Sequence, residues 1–325
     1  MVLITRGFTG ENTDMKALVT GCSGFIGSHL SDKLLEHGYD VVGIDCFTDY
    51  YSREIKEANI ANALNHKNFE FVEGDLLDMN SYPEVDYVFH EAAQAGVRKS
   101  WGKDFEIYTR NNILVTQKLL EFYKDKKTIK FVYASSSSVY GDTELPMKEK
   151  TSLNPVSPYG VTKLAAENLC YLYWKNYGLP TASLRYFTVY GPRQRPDMAI
   201  HKFVKAISNE DEITIFGDGT QTRDFTYIDD AIEANLLAAN SDSKGEIFNV
   251  GGGSTISVNE LIKLIGKTLQ KEPKIKYIEK QKGDVTDTLA DTSKINAEIN
   301  WKPKTKIKEG IKQFIEWYKN QMKTD

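Results

Sequence analysis

The sequence predicts an α/β fold: a Rossmann-like, doubly wound parallel sheet followed by a smaller C-terminal α/β substrate domain. Three observations carry this. From Met15 onward short apolar runs alternate with helical patterns, the order that crossover helices between parallel strands produce. The first run leads straight into a glycine triplet that opens a helical pattern, in ALVTGCSGFIGSHL. Beyond Gly191 the alternation becomes irregular, with turn clusters at Gly191-Pro192, Gly217-Asp218-Gly219 and Gly251-Gly252-Gly253.

In chain order, the predicted strands are Ala17–Thr20, Val41–Asp45, Phe69–Val72, Tyr87–His90, Lys130–Ala134 and Thr181–Tyr186. Helical patterns cover Gly24–His37, Phe105–Tyr123 and Tyr159–Tyr177, and a lysine-rich helix is expected around Lys306–Lys319. This divides the chain into an N-terminal extension (1–14), a dinucleotide-binding domain (15–190) and a substrate domain (191–325), some of whose segments return to the first domain. Residues 1–14 carry no apolar signal-peptide segment and are expected to be a disordered tail or an upstream start.

The 325 residues are 41% hydrophobic and 26% charged, ordinary globular usage with enough chain for a substantial core. A net charge of −4 argues against nucleic acid or an acidic membrane surface as partner, and no apolar run approaches the length of a membrane span. Cys22, Cys46 and Cys170 are odd in number and form no CxxC pair, so neither a disulfide framework nor a metal site is expected. A reducing compartment, the cytoplasm, follows.

Gly21, Gly24 and Gly27 are spaced for a tight turn and for close approach of a pyrophosphate to the amides of a helix N-terminus. The next strand, VVGID, ends on Asp45, 18 residues after Gly27, where a carboxylate holds a ribose 2′-hydroxyl and repels a 2′-phosphate. The cofactor expected is NAD. Asp75, in EGDL at the end of the third strand, either reaches the adenine or caps a helix. Tyr159 and Lys163, four residues apart on a helix, share one face. A lysine cation and a positive nicotinamide ring beside a phenol both favour the phenolate, which makes Tyr159 a base near neutrality.

With these motifs in place the chain resembles the extended short-chain dehydrogenase/reductases that act on nucleotide sugars. The resemblance runs from Met15 to the C-terminus through TGCSGFIGSHL, GDL, AAQ, the serine strand, YxxxK, LRYFTVYGP, GDGTQTRDFTYIDD, GDVTDTLADTSKI and WKP. It implies that Phe25, Ile26, Leu76, Ala92, Ala93, Asn111 and Tyr186 line the cofactor together with the glycines. It also implies that Arg223 pairs with the substrate diphosphate, where a guanidinium fork suits phosphate oxygens, and that Asp284 holds the nucleoside end. A surface salt bridge to Asp224 is the alternative for Arg223. Cys46 departs from the family, whose members often carry Asn after this Asp.

The stretch YASSSSVYG (133–141) ends a buried strand on four serines and no acid. In related decarboxylases and 4,6-dehydratases an acidic residue follows the strand hydroxyl and assists chemistry beyond the first oxidation. Ser137 and Ser138 stand in its place here. Returning the hydride to the opposite face is what remains, which is C4 epimerisation, with Tyr159 as base, Lys163 beside it, and Ser136 relaying the O4 proton; the neighbouring serines compete for that last assignment. Together with AAQAGVRKSW, Thr188 after the Tyr-Phe pair and RYFTVYGPRQRPDMA, this resembles most the family members that epimerise UDP-glucuronate. Ser137, Ser138 and Thr188 would donate to the 6-carboxylate, with Arg98 and Arg195 serving either it or phosphates. Epimerisation of UDP-glucose/UDP-galactose or of an N-acetylhexosamine is the alternative, and an intact Ser136, Tyr159 and Lys163 set counts against a noncatalytic NAD-binding regulator. A homodimer is expected because relatives pair the two long helices, whose apolar residues (Ile113, Leu119, Leu120, Leu164, Leu169, Leu172, Trp174) exceed what one sheet face can use.

Overall fold

A computed structural model describes residues 14–279 and 285–322. Its central element is a seven-stranded, all-parallel sheet. The first half of the chain gives β1 (Lys16–Thr20), α1 (Phe25–Glu36), β2 (Asp40–Asp45), α2 (Arg53–Leu64), β3 (Phe69–Glu73) and β4 (Tyr87–His90). There follow α3 (Phe105–Tyr108), α4 (Val115–Tyr123), β5 (Lys130–Ser136), α5 (Pro158–Tyr177) and β6 (Thr181–Tyr186). The remainder gives β7 (Thr188–Tyr190), α6 (Ala199–Asn209), β8 (Glu212–Phe216), β9 (Thr222–Tyr227), α7 (Ile228–Asn240), β10 (Glu246–Val250), β11 (Thr255–Ser257), α8 (Val258–Leu269), β12 (Lys274–Ile278), α9 (Ser293–Ile299) and α10 (Ile307–Gln321).

The sheet order is β10-β6-β5-β4-β1-β2-β3, so strand order reverses between β1 and β4. A crevice opens at the carboxyl ends of strands at such a point, and ligands of doubly wound folds bind there. Residues of one strand serve two cores because side chains alternate. Ala17 and Val19 of β1 pack with Leu30 and Leu34 of α1, while Leu18 packs with Val88, Phe131 and Leu119 on the other face. Each such fully buried aliphatic side chain contributes about 1.5–3 kcal/mol. Two smaller sheets, β11-β9-β7 and β12-β8, lie outside the main one.

The structure corrects several sequence expectations. The single helix expected over Phe105–Tyr123 is interrupted by a π-helical turn, Thr109–Leu114. β5 runs two residues further than expected, so Ser135 and Ser136 belong to the strand and Ser137 and Ser138 to a 3-10 turn. No helix follows Asp75, whose Oδ1 accepts from the Leu77 amide at 2.8 Å in a turn, which removes the helix-cap reading. Leu119 and Leu120 are fully buried core rather than surplus surface. Two elements lacked a sequence signal strong enough to place: α7 packs on α1, β5 and β6, and β10 extends the main sheet beside β6.

Candidate active site

Two adjoining cavities, an outer and an inner one, occupy the crevice. Gly21, Glu91, Ala93, Ala95 and Arg195 line both, so the two form one continuous cleft. The glycine turn sits between them. Gly21 has φ +68°, and a Cβ there would lie 2.9 Å from the Ala92 backbone, while one on Gly27 would lie 2.2 Å from the Gly21 carbonyl oxygen. Glycine is therefore needed at Gly21 to let the turn pass the chain that follows β4, and at Gly27 to seat α1 against the turn. The first turn of α1 has neither an acidic residue nor a side-chain cap, and Phe25, Ile26 and Gly27 line the inner cavity. Free amides at a helix start facing a cavity fit a pyrophosphate.

The outer cavity is lined by Asp45, Cys46, Asp75, Leu76, Ala92, Ala93 and Asn111. Asp45 Oδ2 accepts from the Ser23 amide at 3.0 Å and Oδ1 from the Phe47 amide at 2.9 Å, which fixes the carboxylate at the cavity edge. Asp75 also takes a 3.1 Å ion pair from Arg110. These features fit a dinucleotide running from Asp45 past Gly21 to the inner cavity. Asn112, which no local pattern distinguishes from Asn111, is the buried clamp of the wall. Its Oδ1 accepts from the Gln94 amide at 2.7 Å, and its Nδ2 donates to the Gln94 carbonyl at 3.1 Å and to Thr162 Oγ1 at 2.9 Å. The π turn lets adjacent asparagines take these two directions, cavity and wall, a use common for such turns at functional sites.

Ser136, Ser137, Ser138, Tyr159, Lys163, Tyr186 and Thr188 all line the inner cavity. The Ser157 hydroxyl caps α5 by accepting the Gly160 amide at 3.1 Å, and Pro158 opens the helix, so Tyr159 projects from its first turn. Tyr159 packs edge-on to Tyr108, with ring centroids 6.2 Å apart. Burial pushes its phenol above the ordinary value, and a hydrogen bond with Ser136 and the charge of Arg195 pull it back. Lys163, expected beside Tyr159, lines the same cavity. The Lys163 ammonium donates to the Ala134 carbonyl at 2.8 Å and lies over the Tyr133 ring, and burial lowers its pKa to about 8 against the opposing charge of Glu91.

The four serines separate by function. Ser135 turns away into the core, where its hydroxyl donates to Glu167 Oε2 at 2.6 Å. Glu167 is in turn gripped by Arg185 at 2.9 and 2.6 Å, with both side chains 1% exposed. Ser136 Oγ accepts from the Ser138 amide at 3.1 Å, which orders the turn carrying Ser137 and Ser138.

Arg195 is the cation shared by the two cavities. Asp197 holds its Nε at 2.9 Å and its Nη2 at 3.1 Å, an arrangement that fixes the guanidinium without using Nη1. Arg98 and Arg223 are not among the described residues lining the cleft. Arg98 lies over the Phe216 ring at 4.3 Å, and Arg223 donates to the carbonyls of Val285 at 2.7 Å and of Thr222 and Thr286 at 2.8 Å. Asp224 is buried and accepts from the amides of Gly252 at 2.6 Å and Ala290 at 2.9 Å. Asp284 lies outside the described residues. The residue that sequence reasoning missed most clearly is Glu91, although the acid in HEAAQ, placed directly before a cofactor motif, was a visible signal.

Known proteins resemble the chain along nearly its whole length. A family model described as GDP-mannose 4,6 dehydratase matches residues 18–314. The chain is 41% identical to a UDP-glucuronate 4-epimerase of Thermodesulfobacterium geofontis, over 94% of this chain and 96% of that one. It is 43% identical to an uncharacterized UDP-glucose epimerase of Bacillus subtilis, over 93% and 97%. Among solved structures, UDP-glucuronic acid 4-epimerase from Bacillus cereus, in complex with UDP-glucuronic acid and NAD, superposes with a TM-score of 0.92 at 43% identity, covering 94% of this chain and all of the other.

Proposed function

We propose a function for this chain, which belongs to the GDP-mannose 4,6-dehydratase family: NAD-dependent epimerisation at C4 of a UDP-sugar, with UDP-glucuronate interconverting with UDP-galacturonate. The observation that carries it is the inner cavity, where Ser136, Tyr159 and Lys163 stand with the neutral donors Ser137, Ser138 and Thr188 and the cation Arg195. NAD bound in this cleft would supply a hydride acceptor for C4 and, once reduced, a hydride donor to the opposite face of the ring. Tyr159 removes the O4 proton and gives it back, and Ser136, which lines the same cavity, positions O4 and relays that proton. Hydroxyls rather than a carboxylate end the strand beside Tyr159, so no acid stands there to drive elimination.

Retaining the carboxylate is the harder task. A 4-keto uronate is a β-keto acid that loses CO2 when its C–C bond aligns with the carbonyl, and several fixed hydrogen bonds keep it out of that alignment. Thr188, Ser137 and Ser138 supply neutral donors and Arg195 Nη1 a charged one, each worth about 1.5–3 kcal/mol where buried. Arg223, on β9, and Asp284 serve the UDP end, and Arg98 serves the phosphates or the carboxylate. In this reading residues 15–190 hold the cofactor and 191–325 the sugar nucleotide. The exposed Ile107, Leu114, Val161 and Leu172 of the α3–α4 and α5 segments form a homodimer contact, and the free cysteines suit a cytoplasmic enzyme.

The second reading, epimerisation of UDP-glucose, is favoured by the description of the B. subtilis relative. Thr188→Val separates the two, since it keeps the shape and removes one donor. Wild type and variant are assayed with UDP-glucuronate and UDP-glucose, with products resolved by NMR. The uronate reading expects wild type to prefer UDP-glucuronate, and expects the variant to lose more on it than on UDP-glucose and to leak a decarboxylated UDP-pentose. A wild-type preference for UDP-glucose, or equal losses on both substrates, gives the second reading its place.

A further inference from the structure

The junction of the two cavities holds an acid that the reaction above does not use. Glu91, immediately after β4, lines both cavities and is the one carboxylate among the described residues lining the inner one. It is held by a directed chain. Asn235 Nδ2 on α7 donates to the Tyr186 hydroxyl at 2.6 Å, and that hydroxyl donates to Glu91 Oε1 at 3.1 Å. A donor polarised in this way favours an ionised acceptor. Lys163 on α5 feels the charge of Glu91 yet forms no ion pair among the described residues. The other titratable and charged groups around Glu91 among the described residues are Tyr133 on β5, Tyr159 on α5, Tyr186 on β6 and Arg195 at the rim. His90 beside it is committed at both ring nitrogens, to Thr20 and Thr116.

Arg195 is a cation that stays with the protein and Lys163 is one below its own titration near pH 8, whereas a nicotinamide ring is cationic when oxidised and neutral when reduced. Beside these protein cations the oxidised ring is disfavoured unless an anion compensates. We propose that Glu91 is that anion: its carboxylate stabilises the oxidised ring over the reduced one, and it takes up a proton when the ring beside it is neutral. The proposal rests on the NAD reading of the cleft. Burial places the Glu91 titration near neutrality, at about 7, within reach of the experiment.

Wild type and the isosteric Glu91→Gln are each equilibrated with mixtures of NAD+ and NADH, and the bound reduced fraction is read by nicotinamide fluorescence. The quantity measured is the ratio of dissociation constants, NADH over NAD+. At pH 8 the variant is expected to lower this ratio about tenfold, equivalent to about 1.4 kcal/mol, while at pH 5.5 the two proteins converge. The pH dependence should then be much steeper in wild type than in the variant. Tyr186→Phe keeps the charge but removes the hydrogen bond that favours the carboxylate, so it should move the wild-type pH window upward, and it tests the same idea if Glu91→Gln does not fold. A ratio unchanged at pH 8 in Glu91→Gln, or a window unmoved in Tyr186→Phe, makes Glu91 a purely structural residue and overturns the proposal. If wild type binds neither nucleotide, the cofactor reading itself fails and the proposal goes with it.

Discussion

Ser135 and Ser136 are adjacent in sequence and are predicted to fail in opposite ways when replaced by alanine. Ser135 Oγ donates to a buried carboxylate oxygen at 2.6 Å and belongs to a network with the Glu167–Arg185 pair, both members of which are 1% exposed. A hydrogen bond to a charged acceptor is worth about 1.5–3 kcal/mol, and the carboxylate stays compensated by its two Arg185 bonds, so the larger loss of about 3–5 kcal/mol for an orphaned buried charge does not apply. Ser135→Ala is therefore expected to cost about 1.5–3 kcal/mol of stability and to leave kcat per folded molecule within about threefold, since its side chain points away from the reacting atoms. Ser136→Ala removes a turn cap, the 3.1 Å bond from the Ser138 amide, for about 0.5–1 kcal/mol. It also removes the hydrogen bond that lowers the Tyr159 phenol, and misplaced acid–base assistance costs up to about 10²–10⁴ in rate. Urea denaturation and initial rates on the same preparations read both quantities. Equal stability losses, or a larger kcat loss in Ser135→Ala than in Ser136→Ala, would refute the assignment of these hydroxyls.

Tyr159→Phe is expected to lower kcat by about 10²–10⁴ while bound NAD is retained, because the glycine turn is untouched; near-full activity of the folded variant would contradict its role as base. His90 gives a signed pH prediction. Burial, then the charge of Lys163, lowers its pKa from 6.5 to about 3, so the unfolded state binds the proton first and stability present above pH 6.5 is lost as pH falls. From pH 7 to pH 5 this amounts to roughly 2 kcal/mol, and wild type is expected to lose that much more than His90→Gln in denaturation series at the two pH values; parallel losses would show that His90 does not stay neutral. For assembly, light scattering at micromolar concentration is expected to give twice the 36.8 kDa chain mass, and Leu172→Glu, at a position 48% exposed, to shift it toward monomer without a comparable loss of stability.

The sequence by itself determined what short-range chemistry can specify. The glycine spacing, the acid ending the second strand, the Tyr-x-x-x-Lys step and the serine run are local patterns whose spacing encodes a turn, a strand end or a helix face. Fold class and the main strands of the cofactor half were legible for the same reason. Tertiary structure decided everything that depends on which distant segments meet. Only packing shows that Ser135 faces Glu167 and Arg185 while Ser136 faces Tyr159, because consecutive strand residues point to opposite sides of the sheet. Only packing brings Arg195, 36 residues after Tyr159 in sequence, to act on that phenol, and anchors the Lys163 ammonium on the Ala134 carbonyl. α7 and β10 join the first half by long-range contacts that leave no local periodic trace, and the π turn that directs Asn111 and Asn112 apart arises where one helix must serve both the cavity and its wall. Titration follows the same division: the sequence supplies the ionisable groups, but burial and neighbouring charge, which set whether Tyr159, Lys163 and Glu91 carry charge near neutral pH, exist only in the folded chain.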